Sequence, residues 1–159
     1  MPLSTSVATR LEYQHKSLVD LIDGLSDEQI RRLAIPGKWS IFENIVHLVT
    51  YQHAFVARLH KMLSEDNAEF ARYVAESDPL FFDNCSKPTG EIMKDLITTR
   101  RKIIDNIQSL TIEQTQRTGT HPVFGKMNVG MWLHFFLLHE AHHLFTIFKL
   151  APLVREQRL

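Results

Sequence analysis

Residues 131–150, MWLHFFLLHEAHHLFTIFKL, read as one long helix. At about 100° per residue, Trp132, Phe136, His139, His143, Thr146, Ile147 and Leu150 share one face. Leu133, Leu137, Ala141, Leu144 and Phe148 form a second apolar stripe on the opposite side. A helix apolar on two sides is expected to be buried on both, so the segment needs partners. Asn128 stands where an N-cap is wanted, and Pro152 predicts an end at about Leu150.

The partners are legible upstream, where apolar residues recur at helical spacing and strand-like alternation is nearly absent. Val7, Leu11, Leu18, Leu21 and Leu25 make a first stripe, with Gly24 and Ser26 as its stop. A second helix follows Pro36-Gly37, opened by Ser40 as N-cap with Glu43 as the reciprocal half of a capping box. It is expected to run to about Asn67 and to resume toward Glu76. A third opens at Lys87-Pro88-Thr89-Gly90 and carries Ile92, Leu96, Ile103, Ile107 and Leu110. Between it and the last helix, Gly119, Pro122 and Gly125 forbid a continuous helix and predict an irregular link. Four long helices without a strand pattern predict an all-α four-helix bundle, one domain over residues 1–159. The second apolar stripe of the last helix also predicts a homodimer.

Composition narrows the function. With 44% apolar and 23% charged residues, the chain has the content of an ordinary globular domain. Eighteen basic residues balance eighteen acidic ones, so no nucleic-acid or anionic membrane partner is expected. The single cysteine, Cys85, is expected in a loop and fits a reducing compartment. No signal-peptide pattern opens the sequence, and His134 with the HEAHH cluster breaks the longest apolar run. A cytoplasmic location is therefore expected.

Nine histidines are the compositional oddity. HEAHH, His139 to His143, matches H-E-x-x-H, in which two histidines one turn apart hold zinc and the glutamate is a protease's general base. The surroundings do not support that reading. The extended zincin form wants glycine at 146 and histidine at 149, where this chain has Thr146 and Lys149. A third ligand is then sought upstream, and His47 is the best placed. It shares a helix face with Glu43, Asn44, Tyr51 and Arg58, opposite Ile41, Ile45, Val49, Val56 and Leu59. A lone inward histidine is commonly a hydrogen-bonded core residue. Two at i and i+4 bury imidazole nitrogens at about 1–3 kcal/mol per unsatisfied group, a cost that a shared metal ion removes. His142, about 100° from His143, is a poorer co-ligand. Spacing alone leaves metal binding and ordinary buried histidines both standing.

IPGKWSIFENIVHL, with Trp39-Ser40 ahead of His47, resembles the opening motif of the DinB/YfiT-like superfamily of metalloenzymes. HPVFGKMNVGMWLHFFLLHEAHHLFTI resembles its closing motif. The resemblance spans nearly the whole chain. It implies a four-helix bundle in which His47, His139 and His143 bind one divalent transition metal, nickel or zinc, around an open position. It implies a small-molecule substrate, by hydrolysis or by transfer of a low-molecular-weight thiol. The opposing reading is a non-catalytic dimer that binds a metal or small ligand. Many members carry glutamine three residues after the last ligand, where this chain has Thr146. No general base is assigned; Glu43, Tyr51 and Glu140 are the candidates, with capping and solvent exposure as the ordinary explanations of the two carboxylates. His15, His53, His60, His121 and His134 show no spacing that joins them to the cluster.

Overall fold

The computed structural model describes residues 3–156. Ser4 caps α1 (Thr5–Tyr13), and a tighter 3-10 turn, Gln14–Lys16, carries the chain into α2 (Ser17–Ile22). After Gly24 comes α3 (Asp27–Arg31), held by a capping box between Ser26 and Gln29. The longest arms are α4 (Ile41–Ser64), α6 (Thr89–Gln108) and α8 (Val129–Glu156), with α5 (Pro79–Cys85) and α7 (Ile112–Gln116) between them. The architecture is the expected four-helix bundle: α1 and α2 together act as the first arm, and α4 lies against both α6 and α8.

Helix α4 begins where the sequence places it. Ser40 Oγ accepts from the Glu43 backbone N–H, and Glu43 Oε2 accepts from the Ser40 N–H at 2.7 Å. Its apolar face is buried as expected, with Ile41, Ile45, Val49 and Leu59 fully enclosed. The polar face is buried too, including Asn44, His47, Tyr51 and Arg58. A helix buried on both its apolar and its polar face is the central one, and that geometry puts polar chemistry inside the molecule.

Three expectations are corrected. Helix α4 stops at Ser64 and does not resume toward Glu76; residues 65–78 instead run as β1 (Ala68–Glu69) and a 3-10 turn, Ala75–Ser77. The link before α8 is not irregular: it folds into β2 (Thr118–His121) and β3 (Gly125–Asn128), antiparallel, with β1 added parallel to β2. These strands have only two to four residues, too short for alternation to register. Gly125, at φ 72°, closes the hairpin. Third, α8 runs through Pro152. Proline inside a helix costs about 3 kcal/mol, but Ala151 and Val154 are buried in the core, Gln29 donates to the Val154 carbonyl, and Arg155 donates to the Asp23 carbonyl. Tertiary packing outweighs the local preference.

Of the stripe that predicts a homodimer, Leu133, Leu137 and Leu144 are buried within the chain, Ala141 is half-buried and Phe148 is exposed. The outward apolar side of α8 is instead Met131, Leu138, Phe145 and Phe148.

Gly119 shows how tightly the sheet sits on the bundle. A Cβ there would stand 2.4 Å from Phe70 and 2.9 Å from Met62, while Trp132 Nε1 donates to the Gly119 carbonyl. Gly119→Ala is therefore expected to lower stability by about 1–3 kcal/mol, the range for overpacking. An unchanged urea midpoint would show that the sheet yields freely.

Candidate metal centre

Helix α4 supplies His47, and α8 supplies His139 and His143, one turn apart. One ring nitrogen from each lies within 4.8 Å of the others, and the Nε2 atoms of His47 and His139 are 3.0 Å apart. No other group of three or more His, Cys, Asp or Glu side chains among the described residues comes together in this way. A single ion with bonds of about 2.0–2.1 Å spans such a set after small side-chain rotations.

The ring orientation of His143 is set from behind. Asn44 Nδ2 donates to the Ser40 carbonyl, which leaves Asn44 Oδ1 as the acceptor facing His143 Nδ1 at 2.9 Å. His143 Nδ1 is thereby assigned the proton, and its Nε2 lone pair faces the other imidazoles. The Nδ1 atoms of His47 and His139 are buried without a protein partner.

Aromatic rings wall the cluster. Trp39 packs 5.0 Å from the His47 ring and 6.1 Å from His143, Tyr51 stands 4.0 Å from His139, and Tyr73 is 5.7 Å from His47. Burial, then the cost of protonating one imidazole beside the others, pushes the histidines far below their ordinary value of 6.5: His47 to about 4, His139 to about 3 and His143 to about 2. The imidazoles are neutral at pH 7 and present lone pairs, the state a metal requires.

The cluster opens into a cavity of about 660 Å³ lined also by Arg58, Arg72, Glu76, His121, Phe124 and Phe135. A second hollow of about 440 Å³, beyond Trp39, meets His143 on its Asn44 side and holds Thr146 and Lys149. Thr146 donates to the His142 carbonyl.

Of the proposed acid–base candidates, Tyr51 alone lines the cavity. Burial holds its phenol above the ordinary value, so it is a proton donor at neutral pH. Glu43 is committed to its cap. Glu140 is corrected from a solvent-exposed carboxylate to a buried one, ion-paired with Arg100 and accepting from Gln14, and it does not line the histidine cavity. His142 is exposed. His121, which spacing left apart, lines the cavity, its Nδ1 accepting from the Val123 and Phe124 N–H groups. Cys85 is corrected from a loop to the last residue of α5, where burial, then Glu43, raises its thiol pKa. Tyr73 and His121 went unassigned because the short sheet that carries their segments to the cavity has no periodic signature.

The depressed histidines dictate a pH response. His15 is also buried, and burial, then Arg100, lowers it to about 4. Each folded-state pKa lies below the unfolded 6.5, so the unfolded chain binds more protons in acid. Stability is full above about 6.5 and is lost as pH falls toward 4, at up to about 1.4 kcal/mol per pH unit for each histidine kept neutral. The urea midpoint of metal-free protein should drop steeply between pH 7 and 5; a flat profile would refute the buried neutral set.

Residues 10–147 match the family model of the DinB superfamily. The chain is similar to "Uncharacterized protein YuaE" of Bacillus subtilis, 28% identical over 135 residues covering 77% of this chain and 83% of that protein. It is 23% identical over 135 residues to "Putative metal-dependent hydrolase OB0413" of Oceanobacillus iheyensis, covering 85% of this chain and 78% of that protein. Among solved structures, Bacillus subtilis YfiT, described as "a probable metal-dependent hydrolase with an unusual four-helix bundle topology", superposes with a TM-score of 0.76 at 18% identity, covering 95% of this chain and 89% of that one. TT2238, described as a four-helix bundle protein, superposes at 0.64 with 20% identity, over 89% and 94%.

Proposed function

From the premise that this chain belongs to the DinB superfamily, we propose that it is a metal-dependent enzyme acting on a small molecule, with His47, His139 and His143 holding one divalent transition metal, nickel or zinc. The observation that carries this reading is the convergence of three neutral imidazole nitrogens within 4.8 Å at the base of a cavity. Three imidazoles suit zinc, nickel, copper and iron alike, and zinc or nickel is put forward here on the motif resemblance alone. Such an ion supplies Lewis-acid chemistry, activating water for hydrolysis or a thiolate for transfer.

The chain's own residues orient and enclose. Asn44 fixes the His143 ring, Trp39 and Tyr73 pack against the His47 ring, and Tyr51 offers a phenol proton beside His139. Among the described residues, the exposed Glu76 is the one carboxylate lining the cavity, and none that is buried lines it. This favours chemistry in which the metal itself generates the nucleophile. Hydrolysis is placed first because a relative carries that name; transfer of a low-molecular-weight thiol is the second reaction type.

The test begins with elemental analysis of untagged protein beside His143→Ala, with add-back of zinc and nickel. Near-equal, near-zero metal in both after add-back would remove the site. Metal-loaded protein is then assayed with activated esters and with a thiol plus monochlorobimane. Turnover no faster than free metal, with tight stoichiometric ligand binding, would favour the non-catalytic binding protein. No helix among the described residues is long and apolar enough to cross a membrane; a cytoplasmic location is proposed with the activity. We also keep the homodimer as a proposal, now through Met131, Leu138, Phe145 and Phe148; sedimentation as an 18.5 kDa monomer at tens of micromolar would overturn it.

A further inference from the structure

We propose that Arg58 makes the histidine cavity a site for a carboxylate-bearing substrate, its guanidinium and the Tyr51 hydroxyl together binding the carboxylate of a molecule whose reactive end reaches the three histidines. The inference rests on the metal reading above and names the substrate class that reading leaves open.

Arg58 is only 9% exposed, yet it makes no ion pair among the described residues. Its guanidinium sits between the rings of Tyr51, Phe70 and Trp132, 5.3–5.8 Å from their centroids. Nη1 donates to Tyr51 Oη at 3.3 Å, and Nη2 donates to the Ala71 carbonyl at 3.2 Å. These two neutral acceptors leave further N–H donors of the fork unused. Arg100, which is 1% exposed, shows what this chain does with a buried guanidinium that has a purely structural role: Glu140 meets it. A buried cation without a counter-charge is costly, and aromatic faces offset only part of that cost.

The position of Arg58 makes the imbalance functional. It lines the same cavity as His47, His139 and His143, and so does Arg72. Three neutral imidazoles contribute no negative charge, while a divalent ion adds two positive ones. Glu76, which is exposed, is the acidic residue on the cavity wall. The loaded site would therefore carry excess positive charge around a buried guanidinium, and an anion is what it lacks. Tyr51 joins the two ends: its ring stands 4.0 Å from the His139 ring, and its oxygen already accepts from Arg58, which leaves its O–H proton free to donate to the same anion. One guanidinium fork and one phenol match a single carboxylate.

The test uses full-length protein loaded with Co²⁺, whose visible absorption reports the site and whose thiolate charge-transfer band reports ligand binding without turnover. The probes are mercaptopropionate and the longer mercaptohexanoate, each compared with the mercaptoalcohol of the same length. At one of the two lengths the acid is expected to bind about tenfold tighter or more than its alcohol. Arg58→Met should bring that ratio close to one while Co²⁺ uptake and alcohol binding persist. Arg58→Lys, which keeps the charge and loses the fork, should retain part of the preference and serves if the methionine variant does not fold. Equal affinity for acid and alcohol at both lengths in Co²⁺-loaded wild type overturns the proposal while leaving the metal centre intact. Failure of wild type to take up Co²⁺ overturns the metal reading itself.

Discussion

Zinc or nickel added to metal-free protein will raise its melting temperature by about 10 °C when free ion exceeds the dissociation constant about a thousandfold. Binding to the folded state alone stabilises by RT ln(1 + [L]/Kd), about 4 kcal/mol at that excess, and a chain of this size gains about 2–4 °C per kcal/mol. His143→Ala and His139→Ala should each abolish the shift, because two imidazoles do not make the converging set. Asn44→Ala is the graded case: it keeps all three nitrogens and removes the acceptor that sets the His143 tautomer. Loss of such an outer partner weakens metal binding by about 10–100-fold, so the shift should shrink by a few degrees and recover with more metal. The sign of the pH effect follows from the depressed histidines. Little proton competition is expected down to about pH 5, since the folded-state values are about 4 or lower. A full metal shift in His143→Ala would sink the assignment of that ligand.

Glu140→Ala is expected to destabilise the fold by about 3–5 kcal/mol, or about 10 °C or more in melting temperature. Glu140 and Arg100 are buried against each other, with Arg100 also donating to the Leu11 carbonyl and lying over Phe136, and Gln14 donating to both Glu140 and the Leu137 carbonyl. Removing the carboxylate leaves an uncompensated guanidinium where α1, α6 and α8 meet. Replacing both residues, Glu140→Leu with Arg100→Met, should recover much of the loss, because the penalty belongs to the orphaned charge and not to the missing attraction. The same comparison decides a mechanistic point. Were Glu140 the general base suggested by H-E-x-x-H, Glu140→Gln would remove activity at little cost in stability; the buried pair predicts that stability falls first and that metal uptake per folded molecule is retained.

The contrast between Glu140 and His143 marks where reading along the chain stops. Four helical arms were legible because 3.6-residue periodicity is a local property, repeated over many turns from Val7 to Leu150, and the Ser40–Glu43 capping box is equally local. His139 and His143 could be paired from the i, i+4 spacing of one helix, and His47 could be nominated because it sits on the polar face of another. Whether those faces meet was beyond periodicity, since nothing local says which side of α4 turns toward α8. The same arithmetic placed Glu140 close to the ligand face and gave no sight of Arg100, forty residues earlier in the chain. The short strands were invisible for a related reason: Gly119 pairs with Ala68 and Met127 through backbone contacts set by tertiary packing, and two to four residues cannot display a period. That sheet brings Tyr73 and His121 to the cavity, and burial of the polar face of α4 turns Arg58 from a surface cation into an unmatched internal one. The sequence by itself determined the helical class, the histidine pair on α8 and the third histidine that could join it, because each depends on neighbours within a turn. Only the tertiary structure decided the central place of α4, the pairing of Glu140 with Arg100 and the charge balance of the cavity, because those depend on which side chains meet across distant parts of the chain.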